Sequence, residues 1–172
     1  NKSTQISPVS ARDVVNEFGT SLKFILDGGT CEIGLESTVV DLTSRVKILR
    51  PGLINPSDIS KILKKKINIY KGSKAAKAPG MLKRHYSPGI PIKLNQKNAK
   101  NNEAFIVIGK KYKKAKNIFN LSNKSNLYEA AKNLYKTLRL IKRKNYKMIC
   151  VSPIAKTGIG LAINDRLWRA SK

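Results

Sequence analysis

The chain has 172 residues, enough for one ordinary domain or two small ones, and its formal net charge is +25. Apolar residues make up 41% of it, which is sufficient for a hydrophobic core, and no stretch approaches the roughly 18 consecutive apolar residues of a membrane-spanning helix. We therefore expect no membrane association. The two distant cysteines, Cys31 and Cys150, have no metal-type spacing and favour a reduced, cytoplasmic protein.

The large positive charge has two interpretations. A nucleic-acid-binding surface, on tRNA or double-stranded RNA, is one of them. The other is an AT-rich coding bias, because the charge is mostly lysine and the chain is also rich in asparagine and isoleucine. Net charge informs on solubility and non-specific binding rather than on fold, so both interpretations stay open.

The first seventy residues are predicted to alternate between helices and strands. Residues 10–19 are predicted as a helix with Ser10 as its N-cap and Gly19 at its end. Three short strands are predicted at 22–29 (LKFILDGG), 37–43 (STVVDLT) and 45–52 (RVKILRPG). A second helix is predicted at 55–65, with inward-facing Ile59, Ile62 and Leu63.

The remaining chain is predicted to form a linker and a small α/β domain. Residues 71–102 are rich in Gly, Pro, Ala, Lys and Asn, which is typical of a long functional or disordered connection. Beyond it, apolar strands alternate with helices, which favours a parallel sheet. Strands are predicted at 104–110, 117–122 and 147–153, and helices at 125–144 and 157–171. The long helix is predicted to bury one face, formed by Leu127, Ala131, Leu134, Leu138 and Ile141.

Two polar clusters lie in the first part of the chain. Asn1, Ser3, Ser7 and Ser10 precede a helix N-terminus, where hydroxyls and free N–H groups suit a phosphate or carboxylate, although helix capping by Ser10 is the favoured interpretation. Residues 36–38, Glu-Ser-Thr, open a predicted strand with polar groups. They either bind a small polar ligand or satisfy neighbouring backbone groups, and their residue types alone do not decide.

Two further segments carry candidate binding residues. Arg50 ends a strand beside the Pro51-Gly52 turn, and its planar fork of donors suits phosphate, although a surface arginine is the simpler interpretation. The segment APGMLKRHYSPG, residues 78–89, places Arg84, His85 and Tyr86 between proline-containing turns. A second histidine is absent from the sequence, so a multi-histidine metal site is excluded. The glycines of KTGIGLAINDR are a weak phosphate signal and fit tight helix packing better.

These stretches together resemble one family, the threonylcarbamoyl-AMP synthases or YrdC-like enzymes, in their two-domain form. NKSTQISPVSA resembles the family's S-A-N-x-S-G-x-x-S-P-T segment without its first two residues, and GLESTVVDL with ILRPG resembles an internal signature. APGMLKRHYSP is similar to the family's linker motif, and the sequence from LYEAAKNLY to GIGLAINDRL is similar to its C-terminal domain. The implied architecture is part of a YrdC-like twisted-sheet α/β domain (1–70), a linker loop (71–102) and a small Rossmann-like parallel α/β domain (103–172).

The resemblance implies a reaction in which L-threonine, bicarbonate and ATP, with Mg²⁺, give threonylcarbamoyl-adenylate and pyrophosphate for tRNA modification. It implies threonine binding by Ser37 and Asn1. It implies ATP binding by Ser3, Ser7, Arg50, His85 and Tyr86, with the linker closing over the nucleotide. Neither a covalent catalytic residue nor a protein-held metal is implied, because positioning and charge neutralisation suffice.

The chain departs from the family pattern in two ways. Thr4 and Val9 stand where the family has Gly and Thr, and Thr4 matters more because glycine there would serve a backbone conformation that threonine disfavours. The family's N-terminal half, with its Lys/Arg motif, is expected to be missing, so we expect this chain to be inactive alone and competent within a complete protein. A basic RNA-binding module and an inactive gene remnant are the alternative hypotheses.

Overall fold

The computed structural model describes residues 2–70 and 78–172, which form two small sheets with helices packed against them. Within these residues, no helix has the length and apolar character needed to cross a membrane. The α/β fold with a parallel sheet is as predicted.

The first sheet has three strands in the order β1-β2-β3. β1 (Val39–Asp41) pairs antiparallel with β2 (Lys47–Arg50), and the register shifts between Val39 and Val40. β3 (Asn68–Ile69) pairs parallel with β2 and was not predicted, because two residues are too few to show alternation. The sheet holds Arg50 at the end of β2, with its side chain turned into the protein.

Two short helices accompany this sheet. α1 (Ala11–Phe18) confirms the first predicted helix, since the Ser10 side chain accepts a hydrogen bond from the Asp13 N–H as its N-cap. α2 (Pro56–Ile62) confirms the second, but its predicted inward face is wrong: Ile62 is 80% exposed and the helix buries no residue. A single 3-10 turn, Gly19–Ser21, follows α1.

The predicted strand at 22–29 does not form. Phe24 and Leu26 are 89% and 98% exposed, and no neighbouring strand among the described residues pairs with this segment. The apolar pattern was therefore misleading here, because a strand exists only where a neighbour accepts and donates its hydrogen bonds.

The second sheet has four parallel strands in the order β4-β7-β5-β6. They are β4 (Ile92–Lys93), β5 (Ala104–Val107), β6 (Ile118–Asn120) and β7 (Ile149–Val151). All residues of β5 and β7 are buried, as expected for a sheet covered on both faces. β5, β6 and β7 confirm the predicted strands.

β4 lies inside the stretch predicted as a linker, 71–102. Ile92 and Lys93 pair with Ile149 and Cys150 of β7, so the C-terminal sheet draws one strand from that stretch. The linker prediction is too long at its C-terminal end, because a proline- and lysine-rich composition concealed a two-residue edge strand. Residues 71–77 lie outside the described residues.

Two helices enclose the main core. α3 (Leu127–Lys142) begins at Asn126, whose side chain accepts hydrogen bonds from the N–H groups of Tyr128 and Glu129. It buries the predicted Ala131, Leu134, Leu138 and Ile141, together with Ala130 and Tyr135. α4 (Gly160–Ala170) packs beside it and buries two arginines, Arg166 and Arg169, among apolar residues. The N-terminal residues Ile6 and Val9 join the same core.

Thr4 adopts a positive φ of 67°. This left-handed conformation favours glycine and is costly for a β-branched side chain. The expectation that this position serves a conformation disfavoured by threonine is therefore confirmed. The Thr4 carbonyl accepts a hydrogen bond from the Ser87 N–H, at 2.9 Å, which ties residues 4–5 to the 78–87 loop.

Candidate active site

The carboxylate of Glu36 is the centre of a polar cluster inside the protein. Ser7 Oγ donates a hydrogen bond to Glu36 Oε1 at 2.5 Å, and the Tyr135 hydroxyl donates to both carboxylate oxygens at 2.9 and 3.1 Å. Arg166 Nε lies 2.7 Å from Oε2 and forms an ion pair with it. One side chain thus joins the N-terminal segment, α3 and α4.

The charges of this cluster stabilise an ionised carboxylate. Burial alone would raise the pKa of Glu36, but the Arg166 guanidinium and the Ser7 hydrogen bond outweigh it and hold the pKa below its ordinary value. Burial, followed by the nearby Glu36 charge, holds the pKa of Tyr135 well above its ordinary value. Tyr135 is therefore a neutral donor to a charged acceptor, which is the stronger kind of hydrogen bond.

Arg50 links the 36–38 segment to the loop that follows the first sheet. Its Nε donates to the Ser37 carbonyl at 3.1 Å, its Nη2 to Ser37 Oγ at 3.4 Å and its Nη1 to the Pro79 carbonyl at 3.0 Å. Gly52 permits this arrangement, because a Cβ there would lie 2.3 Å from the Thr38 nitrogen. Ser37 itself is exposed, so its hydroxyl is accessible to a ligand beside a positive charge.

A second arginine holds the far side of the same loop. Arg169 of α4 donates to the carbonyls of Met81 and Leu82 at 2.7 and 2.9 Å, and its guanidinium pairs with Asp165 at 3.1 Å. Asp165 also pairs with Arg166 at 2.7 Å. A continuous chain of charges therefore runs from Glu36 to this loop.

Tyr86 lies in the core in this structure. Its side chain is 1% exposed, stacks on the Tyr135 ring at a centroid distance of 5.8 Å and has the Arg166 guanidinium over its face at 5.1 Å. Its φ is 60°, and burial raises its pKa. Gly80 passes directly over its hydroxyl, since a Cβ at Gly80 would lie 2.1 Å from that oxygen.

His85 lies half-buried beside Tyr86, with ring centroids 4.1 Å apart. Its Nδ1 accepts a hydrogen bond from the Tyr86 N–H at 3.0 Å, which leaves Nε2 as the remaining polar atom of the ring. Burial lowers the pKa of His85, the Glu36 carboxylate opposes this shift, and the guanidinium of Arg169 adds to it. The imidazole is thus favoured in its neutral form.

The structure brings most of the predicted binding residues together, with one exception. Ser7, Ser37, Arg50, His85 and Tyr86 all border the Glu36 cluster or the loop held over it, as described above. Ser3 is exposed and lines a different cavity, beside Lys2 and Arg12. Asn1 lies outside the described residues.

A cavity of about 400 Å³ opens at this cluster. Ser7, Leu35, Glu36 and Tyr135 line it, together with residues 31–34. Across the described residues, no group of three or more His, Cys, Asp or Glu side chains is arranged to hold a metal ion. The cavity offers the hydroxyls of Ser7 and Tyr135 beside the carboxylates of Glu32 and Glu36. The guanidinium groups lie outside its lining, and the group that suits a phosphate or carboxylate ligand is Arg50 beside the exposed Ser37.

Four residues of this cluster were not predicted from the sequence: Tyr135, Asp165, Arg166 and Arg169. Tyr135 was missed because it lies within a predicted apolar helix face. One signal for the others was present, since the chain has 27 lysines and only eight arginines. Two of those eight arginines, Arg166 and Arg169, lie on either side of the apolar residues Leu167 and Trp168 in α4. A general preference for basic residues at the surface would have placed lysines there.

Two family models match adjacent parts of the chain. A model described as "Threonylcarbamoyl-AMP synthase, C-terminal domain" matches residues 54–172, and one described as "Telomere recombination" matches residues 1–52. Three similar curated proteins are named threonylcarbamoyl-AMP synthase. They come from Pyrococcus abyssi (35% identical, 99% of this chain and 56% of the relative), Schizosaccharomyces pombe (29%, 99% and 50%) and Bacillus subtilis (27%, 99% and 55%).

Solved structures give the same result. The crystal structure of P. abyssi Sua5 complexed with L-threonine matches with a TM-score of 0.86 at 33% identity, over 99% of this chain and 56% of that one. A P. abyssi Sua5 variant in which a histidine and the tyrosine after it are replaced by alanine matches with a TM-score of 0.83 at 31% identity, over 99% of this chain and 55% of that one. The chain spans about half the length of the curated relatives it matches.

The family model for the threonylcarbamoyl-AMP synthase C-terminal domain covers well over half of the chain. The same motifs that build the Glu36 cluster lie within the two matched ranges. The chain therefore belongs to the family of the threonylcarbamoyl-AMP synthase C-terminal domain.

Proposed function

We propose that the chain contributes to the synthesis of threonylcarbamoyl-AMP and pyrophosphate from L-threonine, bicarbonate and ATP. The observation that carries the proposal is the contact between Arg50 and Ser37. Nine-tenths of Arg50 is buried, yet its guanidinium is directed at an exposed serine. This pairing of a hydroxyl with a buried positive charge suits carboxylate or phosphate groups. The names of the curated relatives support the same reaction.

The site residues are proposed to divide between the two substrates. Ser37, with Asn1, binds threonine; Ser3, Ser7, Arg50, His85 and Tyr86 bind ATP. Support for the first group is the threonine complex of the similar P. abyssi protein. Support for the second is the pairing of the chain's only histidine with Tyr86, which matches in kind the adjacent histidine and tyrosine replaced in the P. abyssi variant. Tyr86 acts on ATP only if the 78–87 loop moves, because its ring is buried here.

ATP is proposed to act as its Mg²⁺ complex. Glu36 is the central carboxylate of the Glu36 cluster, and Arg166, Tyr135 and Ser7 already occupy its oxygens. The described residues of this site therefore fit a metal carried by the phosphates better than one held by protein carboxylates. Arg50 and the hydroxyls then orient the phosphates, and positioning with charge neutralisation supplies the catalysis.

The proposed organisation has two domains, 1–70 and 103–172, joined by the 71–102 linker, from which Ile92 and Lys93 add strand β4 to the second sheet. The two family models match adjacent ranges that divide near residue 53, which supports two units but sets their border earlier. Because the chain spans about half of its relatives, the complementary half is proposed to supply further substrate contacts. The adenylate product is proposed to serve tRNA modification in the cytoplasm.

The test is pyrophosphate release from ATP with threonine, bicarbonate and Mg²⁺. The chain is assayed alone and mixed with the separately expressed N-terminal half of the P. abyssi relative. We expect release only in the mixture, and only when threonine is present. No release in either sample, from protein that melts cooperatively, refutes the proposal and favours an inactive remnant.

Two serine variants identify the site within that assay. Ser37→Ala is expected to lower kcat/KM for threonine about 10- to 100-fold, the effect of losing a hydrogen bond to a charged group. Ser57→Ala is the matched control, because Ser57 is exposed on α2 and, among the described residues, makes no hydrogen bond to the cluster. Equal effects of both changes would remove Ser37 from the site.

A further inference from the structure

We propose that Tyr135 of α3 and Arg166 of α4 are positioning residues of the substrate site, and that they act through Glu36 on Ser37. This inference rests on the proposed function, since Ser37 is the serine proposed to bind threonine. Tyr135 and Arg166 are each 1% exposed, so neither side chain faces a ligand directly. Glu36 immediately precedes Ser37 in the chain, so contacts that fix Glu36 also fix where the Ser37 hydroxyl lies.

The carboxylate of Glu36 is held at both of its oxygens. The Tyr135 hydroxyl lies 3.1 Å from Oε1 and 2.9 Å from Oε2, and Arg166 Nε donates to Oε2 at 2.7 Å. Ser7 Oγ donates to Oε1 from the N-terminal segment. Donors from three separate parts of the chain thus converge on one carboxylate and restrict its orientation.

The main chain around Ser37 is held as well. Arg166 Nη2 lies 3.5 Å from the Glu36 carbonyl oxygen, and Arg50 Nε donates to the Ser37 carbonyl at 3.1 Å. Gly52 packs so closely against this backbone that a Cβ there would lie 2.5 Å from the Ser37 carbonyl carbon. Two arginines, from β2 and α4, and one glycine therefore restrict the main chain at Ser37.

The Ser37 hydroxyl stays available within this rigid surrounding. Ser37 is exposed, and its hydroxyl oxygen accepts a hydrogen bond from Arg50 Nη2 at 3.4 Å. The hydroxyl proton therefore remains for donation to a carboxylate oxygen of the ligand. Because these contacts order the serine before threonine arrives, binding incurs less of the cost of ordering it.

Stability alone is a weak explanation for Arg166. Among the described residues no other charged side chain is as deeply buried, since the next most buried ones are 8% exposed. Replacing a buried ion pair by apolar residues of similar volume is often neutral or stabilising. A buried arginine directed at the residue before Ser37 therefore indicates a role at the substrate site.

Two tyrosine variants separate positioning from general stability. Tyr135→Phe removes the hydroxyl that donates to Glu36, keeps the ring that stacks on Tyr86 and leaves the ion pair with Arg166 in place. Tyr146→Phe is the matched control. The Tyr146 hydroxyl donates to the carbonyl of residue 116 at 3.0 Å, and its half-buried ring packs against the same core without a hydrogen bond to Glu36 among the described residues.

The experiment measures pyrophosphate release by the chain mixed with the N-terminal half of the P. abyssi relative, with threonine varied at saturating ATP. Tyr135→Phe is expected to raise KM for threonine about tenfold and to change kcat by less than about twofold, because a displaced Ser37 binds threonine less well. A loss of folded protein would instead lower kcat and leave KM unchanged. Tyr146→Phe should change KM by less than about twofold.

A double variant tests whether Tyr135 acts through Ser37. In the Ser37→Ala background, Tyr135→Phe should lower kcat/KM for threonine by less than about threefold, because the residue it positions is already gone. Arg166→Lys is a second test, and it serves where Tyr135→Phe does not fold. Lysine keeps a charge for Glu36 but lacks the guanidinium fork that reaches both the carboxylate and the carbonyl, so KM for threonine should rise here too.

The outcomes distinguish this inference from the proposed function. With an active wild-type mixture, equal KM values for the two tyrosine variants, a fall in kcat alone, or full additivity in the double variant overturns the positioning role and leaves the proposed function standing. If Tyr135→Phe does not fold, an unchanged KM in Arg166→Lys overturns it. Absence of release from the wild-type mixture overturns the proposed function, and this inference with it.

Discussion

Arg166→Met should destabilise the protein by about 3 kcal/mol, the lower end of the 3–5 kcal/mol cost of removing one partner from a buried ion pair. The side chain is 1% exposed and lies 2.7 Å from both Glu36 and Asp165. Methionine fills a similar volume, so the loss reports charge and hydrogen bonding rather than a cavity. The lower end applies because both carboxylates keep other partners.

Urea unfolding measures this loss, with the fluorescence of Trp168 as the probe. Trp168 is the only tryptophan and lies two residues further along α4. Coincident far-UV circular dichroism checks that unfolding is two-state. Glu36→Gln/Arg166→Met should lose at least about 1 kcal/mol less than the sum of its single variants, because the uncompensated carboxylate is gone. A loss below about 1 kcal/mol for Arg166→Met, or strict additivity in the double variant, would refute the reasoning.

The chain's only histidine allows a direct titration by NMR. The pKa of His85 is expected below its ordinary value of about 6.5, and Glu36→Gln should lower it further because the carboxylate opposes the shift. The contribution of His85 to the free energy of unfolding is complete at pH values above its ordinary pKa. As the pH falls through the ordinary pKa toward the lower folded-state pKa, the unfolded chain binds more protons than the folded protein, so this contribution is lost. A folded-state pKa at or above the ordinary value would contradict this expectation. Separately, Thr4→Gly should stabilise the protein by about 0.5–1 kcal/mol by relieving its positive φ, whereas Thr20→Gly, in the 3-10 turn, should destabilise it by a similar amount. Thermal melts compare the two, and a shared sign would remove backbone strain at Thr4 as the cause.

Local signals in the sequence predicted the regular elements well. Helix capping by Ser10 and the apolar periodicity of α3 depend only on residues that are close in the sequence. Both helices, α1 and α3, form as predicted. The apolar run at 22–29 failed because strand formation depends on a neighbour that the run itself does not specify. The two-residue strands β3 and β4 are too short to carry any pattern.

The candidate site was only half predictable for a related reason. The polar residues of the 36–38 segment were recognised as unusual, but the choice between a ligand and a backbone role stayed open. The structure shows what the sequence could not: Glu36 is bound by Tyr135 and Arg166, which are 99 and 130 residues away. Contacts between residues this far apart in the sequence produce no periodic pattern. Only the low number of arginines relative to lysines indicated them.

The same separations bear on how the protein is made. The first forty residues reach their buried partners only once α3 and α4 have been synthesised, because Glu36, Ile6 and Ser7 are bound by residues 99 to 133 positions further on. Closing loops of that length makes folding slow. Until these contacts form, the segment that carries the exposed Phe24 and Leu26 lacks its buried partners. We therefore expect this N-terminal segment to complete its native contacts only after the C-terminal helices exist, and it is open to aggregation until then.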